Sequence, residues 1–340
     1  MSRSAGAQAA AAITLLSLTL APAAARAATV SVEAGVLHVE ALPGEANAIS
    51  IQTAAPGTLT VIDAGAPPTP GPGCTAADSP SSLSCGGAIA AAEIDLSDGD
   101  DTLSVGAALA TTANGGDGDD SLTGGPADDH LDGGRGDDYA DGGPGRDSII
   151  LRDRAPDSAW CGGGRDTVRA EVLDQLDTAC ERVDYGHPGH IGRLRPVTGG
   201  GRFVAIPGQS WARVDRRILP DVLYLVRRYH VLVGAGYAIQ GHVLHGEHPL
   251  GLAVDLYPGA GGSWRDVARL ARWAEPRQDH PRWPFRWVGW NGDWNHGDPR
   301  HCRIVRGCPP HLHLSWAHSP SRPRHAARTV WVWDVRGAPR

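Results

Sequence analysis

The sequence predicts a multidomain chain, with an all-β solenoid in the N-terminal half and an α+β domain carrying a small antiparallel sheet in the C-terminal half. Three observations predict it. Glycine pairs begin at Gly115, Gly124, Gly133 and Gly142, each nine residues after the last, and a fixed short period of this kind marks a solenoid. The second half abandons that period for two helical patterns and three strand-like runs. Charge divides in the same way: residues 28–186 hold 28 Asp and Glu against 7 Arg, residues 187–340 hold 10 against 22, and the chain has no lysine. An acidic half needs cations, and a basic half suits an anionic surface or polymer.

Residues 1–27 read as a secretory signal peptide. Arg3 gives the positive start, an Ala/Leu/Thr-rich run follows to Leu20, and Ala25-Arg26-Ala27 is a small-x-small cleavage site. The apolar run is too short to span a bilayer, and no later stretch is apolar enough to do so. The mature chain is therefore expected in the extracellular space or at the cell wall, with no membrane anchor. Six cysteines fall in three local pairs, Cys74 with Cys85, Cys161 with Cys180, and Cys302 with Cys308. In an exported chain an even number favours disulfides, and neighbour pairing is the simplest of about 15 connectivities.

Residues 28–93 are assigned to a β-rich N-terminal segment, in which residues 29 to about 66 alternate β-branched and polar residues between Gly, Pro and Asn, as short strands do. Residues 94–184 carry the repeats: GGDGDDSLT, GGPADDHLD, GGRGDDYAD and GGPGRDSII, with partial copies at Ser97–Leu103 and Cys161–Val168. They resemble the hemolysin-type calcium-binding nonapeptide. That resemblance implies a parallel β-roll, with a tight glycine turn and an Asp at the sixth position as Ca2+ ligand. Aligned in this way, the calcium residues are Asp101, Asp120, Asp129, Asp138, Asp147 and Asp166. Calcium prefers six to eight oxygens, which carboxylates from stacked turns and turn carbonyls supply. Leu122, Leu131, Ile149 and Val168 occupy the apolar eighth position; Ala140 is a weaker match there, and Ala127 replaces a turn glycine.

Residues 185–202 are rich in Gly, Pro and Arg without a hydrophobic period and read as an interdomain linker. The α+β domain is assigned to residues 203–335. Val222, Leu225, Val226 and Tyr229 share one helical face after Pro220, and a second helix starts near Ser263 with Val267, Leu270, Ala271 and Ala274 inward. VLVGAGYAI, LAVDLY and HLHLSW read as strands.

Two motifs in this domain carry chemistry, His248-Pro-Leu-Gly-Leu-Ala-Val-Asp255 and His311-Leu-His313. Side chains two apart in a strand share a face, so His311 and His313 point together. His248 lies an odd seven residues before Asp255, and Pro249 and Gly251 provide a bend that brings it back. Two imidazoles and one carboxylate leave one position of a tetrahedral zinc open. The H-x-x-G-x-A-x-D stretch with a downstream H-x-H resembles the D-alanyl-D-alanine carboxypeptidase family of zinc peptidases, within the wider group of lysostaphin-type endopeptidases and hedgehog-like domains. The resemblance implies His248, Asp255 and His313 as the Zn2+ ligands and His311 as the catalytic residue that polarises water or stabilises an oxyanion.

The sequence departs from the carboxypeptidase pattern at Gly246, Ala238 and Pro310, where Ser, Arg and Glu are common; these departures suit the endopeptidase-like branch. The resemblance implies a zinc metallopeptidase acting on cell-wall peptidoglycan peptides, with no nucleic acid partner. Two alternatives stand beside it: a metal-holding cell-wall-binding module without turnover, and a calcium-stabilised surface or adhesive protein.

Overall fold

The computed structural model describes residues 28–171, 173–199, 201–237, 248–278, 284–290, 311–319 and 327–338. The signal peptide, the Cys302–Cys308 pair and the departures at Ala238, Gly246 and Pro310 lie outside them.

The N-terminal half is a parallel β-roll. From Ala91 onward the chain alternates between two nine-stranded sheets, so that two short strands make one turn. Strands of successive turns pair in parallel, Ser121–Thr123 on Tyr139–Asp141 and His130–Arg135 on Ser148–Ile150. The eighth repeat position always points inward. One sheet contributes Leu103, Leu122, Ala140 and Ala159, the other Ile94, Ala113, Leu131, Ile149 and Val168, and all are buried. The small Ala140 keeps the inward position that its repeat number assigns to it.

Glycine is needed where the turns stack. Gly134 has φ +102°, and a Cβ there would lie 2.0 Å from the Gly116 carbonyl oxygen of the preceding turn. Only a residue without a side chain accepts both the left-handed backbone and the close approach.

The expected break between residues 93 and 94 does not exist. Hairpins Thr29–Glu33/Val36–Glu40 and Ala48–Ala55/Thr58–Asp63 extend the same two sheets, the second strand of one and the first of the other pairing in parallel with Ala91–Asp95 and Thr102–Val105. Residues 28–93 thus close one end of the roll by turning parallel stacking into antiparallel hairpins. Cys74–Cys85 staples that end, and Cys161–Cys180 bridges the last repeat to the chain leaving the roll.

The C-terminal region has two helices and small antiparallel sheets. Helix α1 spans Leu219–Tyr229, with Pro220 in its first turn, and ends at His230 in the left-handed conformation. Helix α2 spans Trp264–Ala274 and buries Val267, Leu270, Ala271 and Ala274. They pack with a four-stranded sheet ordered Val231–Ala235, Ala253–Pro258, Leu312–Trp316 and Phe285–Gly289.

Residues 185–202, read as a linker, contain instead a strand, His190–Thr198, paired antiparallel with Thr329–Arg336. A bulge between Ile191 and Leu194 and the two-stranded setting accommodate Gly192 and Pro196, which composition alone assigns to a loop. The buried Arg217 side chain clips this ribbon to the domain. It pairs with Asp215 at 2.6 Å and donates to the carbonyls of Gly199 and Ala327. The two halves meet directly: Tyr185 packs against both cores, and the Gly261 N–H donates to the Cys180 carbonyl.

Candidate metal centre and calcium ladders

The two central strands of the four-stranded sheet position the C-terminal site. Asp255 and His313 are direct register partners across the antiparallel pair. Leu252, Val254 and Leu256 face the core, which turns Asp255 to the other side. His248 reaches the same point from a 3-10 turn, His248–Leu250. Gly251, at φ +66°, closes that turn, its N–H donating to the His248 carbonyl. The Gly251 carbonyl in turn accepts from Asp215 N–H, so the turn is tied to the Asp215–Arg217 pair.

Three ligand atoms converge. His248 Nε2 lies 3.2 Å from His313 Nδ1 and 3.3 Å from Asp255 Oδ1, and His313 Nδ1 lies 2.9 Å from Asp255 Oδ1. A tetrahedral zinc with bonds of ~2.0–2.2 Å has ligand-to-ligand edges of roughly 3.3–3.6 Å. The three atoms are therefore within a few tenths of an ångström of that spacing. His248 Nδ1–H donates to the Gly236 carbonyl at 2.5 Å, which leaves Nε2 as the nitrogen with the lone pair. Burial alone would push the Asp255 carboxyl up, but hydrogen bonds and charge from His248 and His313 overcome it and hold the group below the usual carboxylate range. The residues fit a divalent metal of the zinc type.

His311 stands just before its strand, on the same side as His313. Its Nε2 is 3.7 Å from Asp255 Oδ1, beyond hydrogen-bonding distance, and its ring lies 5.9 Å from that of Tyr257. Trp287 covers His313 at 4.4 Å between ring centroids.

In the roll, the sixth-position carboxylates form two ladders. Asp101, Asp120, Asp138 and Asp157 each send their backbone N–H to Oδ1 of the next Asp in the series, ending at Asp174. Asp129, Asp147 and Asp166 do the same along the other edge, ending at Glu181. Each rung joins residues a full turn apart, 18 or 19 in sequence through most of the roll.

The other oxygen, Oδ2, of Asp101, Asp120, Asp138, Asp147, Asp157 and Asp166 is buried with no hydrogen-bond donor. A buried carboxylate oxygen without a donor is costly unless a cation meets it. Burial pushes the carboxyls of Asp120 and Asp147 up to about 7, Asp138 up to about 6 and Asp157 up to about 8, with neighbouring carboxylates adding to the effect. These residues fit calcium.

Residues 114–149 match the RTX calcium-binding nonapeptide repeat in four copies. No curated protein and no solved structure matches the chain. None of these comparisons supports the expected resemblance of the C-terminal half to zinc peptidases. The repeats and the two disulfides are features of an extracellular protein. Among the described residues no helix is long and apolar enough to cross a membrane.

The ladders run beyond the matched repeats. Asp157, Asp174 and Glu181 belong to them although nonapeptide matching does not select them. One extra residue near Leu151 puts Asp157 ten after Asp147 instead of nine, and its turn has lost the glycine pair. The signal that remains is the pairing of Asp157 with an inward Ala159 two residues later.

Proposed function

We propose that this is an exported, calcium-stabilised protein whose C-terminal domain holds one transition-metal ion, zinc, and attaches to cell-wall polymer. The convergence of His248 Nε2, Asp255 Oδ1 and His313 Nδ1 within 2.9–3.3 Å carries the metal reading. Two neutral imidazoles with one carboxylate suit zinc better than calcium, which takes oxygen ligands. The Arg-rich C-terminal half supports an anionic partner such as the cell wall. Metal analysis of dialysed full-length protein, beside H248A and H313A variants, tests the centre: about one zinc per chain is expected in the parent and none in the variants. Co-sedimentation with purified peptidoglycan tests the partner.

A second reading is hydrolysis of wall peptides. Three protein ligands leave one zinc position for substrate, and His311 stands 3.7 Å from the shared carboxylate. Zinc, when bound, supplies a Lewis acid. His311 would hold or move a proton beside it, and His248, locked by Gly236, would keep the site in register. Release of muropeptides by the zinc-loaded protein, abolished by chelation, supports this reading; wall binding without release supports the first.

A further inference from the structure

A cavity of about 210 Å³ opens where the last turns of the roll meet the C-terminal domain; Asp174, the end of one carboxylate ladder, lines it, and His248, Asp255 and His313 do not. Two of its walls are tryptophans, Trp160 from the roll and Trp211 from the domain. Among the described residues only four large apolar side chains are exposed, and these are two of them, at 47% and 59%. Exposed tryptophan is costly to leave in water, and two facing one cleft call for an explanation.

Neither ring hangs loose. Trp160 packs on Tyr139 with centroids 5.4 Å apart. Trp211 Nε1–H donates to the Val233 carbonyl, and Gln209 Oε1 accepts the Val233 N–H at 2.6 Å, so both backbone groups of Val233 hold cleft side chains. The Gln209 amide N–H2 and the Tyr185 hydroxyl, both lining the cleft, make no hydrogen bond within the protein among the described residues. Gln175 and Asp177 add exposed or half-exposed polar groups at the rim. None of the described lining residues is basic, in a chain whose second half is rich in arginine.

We propose that this cleft binds a neutral pyranose oligosaccharide, with Trp160 and Trp211 as stacking platforms. A pyranose ring has an apolar face of axial C–H groups that a rigid indole covers, and a rim of hydroxyls that both donate and accept. Gln209 and Tyr185 supply the donors, Asp177 and Gln175 the acceptors. The missing cation argues against a phosphate-bearing polymer or a free peptide carboxylate. The roll contributes one wall, so the site is complete only in the full chain.

The test is titration of full-length, calcium-loaded protein with three neutral trisaccharides, triacetylchitotriose, cellotriose and maltotriose, read by calorimetry and by tryptophan fluorescence. At least one is expected to bind saturably, and W160A and W211A are each expected to weaken it about tenfold or more. W211F, which keeps a ring, should retain part of the affinity and shows that loss in W211A is not misfolding. H248A should bind sugar like the parent, which separates this cleft from the metal centre. The proposal is overturned if no trisaccharide binds, if both alanine variants bind like the parent, or if H248A abolishes binding.

Discussion

Asp255 and His313 sit directly opposite each other on neighbouring antiparallel strands, with Oδ1 and Nδ1 2.9 Å apart. One carboxylate oxygen thereby serves His313, His248 and the approach of His311 together. Replacing Asp255 by Asn keeps the shape but removes the charge that a divalent ion needs. Zinc retention after dialysis is expected to fall in D255N and H313A by about 10-fold or more, since three protein ligands are the minimum of such a site. H311A is expected to retain the parental zinc. If wall peptides are hydrolysed, H311A loses about 10² to 10⁴ in rate, the usual contribution of a positioned proton acceptor. Atomic emission on the three purified variants distinguishes these roles; zinc loss in H311A would make it a ligand instead.

Calcium dependence should itself depend on pH. The carboxyls of Asp120, Asp138, Asp147 and Asp157 are raised in the folded chain to between about 6 and 8. A raised folded value means that the metal-free roll is helped by protonation in acid, below the unfolded value of ~3.9, and loses that help as pH rises through 6 to 8. Calcium competes with the proton for the same oxygens, so its stabilising effect grows across that window. Melting full-length protein with chelator or with calcium at pH 5 and pH 8 checks this. The gap between the two curves should be small at pH 5 and large at pH 8.

Two glycines separate packing from composition. Gly134→Ala meets a backbone oxygen at 2.0 Å in a left-handed conformation, whereas Gly163→Ala meets nothing within 4 Å. G134A is expected to destabilise the roll by more than ~2 kcal/mol, and G163A to stay within about 0.5 kcal/mol of the parent. Calcium-loaded denaturant melts of both decide it.

Asp221 gives the C-terminal domain its own acid response. It is fully buried at the start of α1, where Oδ2 accepts Trp316 Nε1–H at 2.9 Å and Trp333 N–H at 3.2 Å. Burial pushes its carboxyl up to about 7. Its contribution to stability is therefore full in acid and is lost as pH rises through 7. Asp221→Asn keeps an acceptor for both tryptophans without a titratable charge. Thermal melts followed by tryptophan fluorescence should fall between pH 5.5 and 8.5 in the parent and stay flatter in D221N.

Local regularity is what the sequence displays most openly. The nine-residue period, the inward Leu122 and Leu131, and the apolar faces of α1 and α2 are legible because their spacing repeats within a few residues. Asp255 and His313 are legible as chemistry, and their strands as strands, but not their register, which joins residues 58 apart. His190–Thr198 is hidden for a related reason: its pairing partner is the distant Thr329–Arg336, and Gly192 and Pro196 interrupt its strand pattern. The strands of residues 28–93 were visible as strands, yet nothing local says that hairpins there continue a parallel roll.

The ladders also give the roll a direction. Every rung is completed by a carboxylate that lies later in the chain, and the final acceptors, Asp174 and Glu181, lie within or just past the segment closed by Cys161–Cys180. Each coil therefore has its rung completed only by the coil 18 or 19 residues further on. The Cys161–Cys180 disulfide fixes the segment that carries Asp174 and ends next to Glu181, so the acceptors that finish both ladders are held by a covalent link instead of by a further coil.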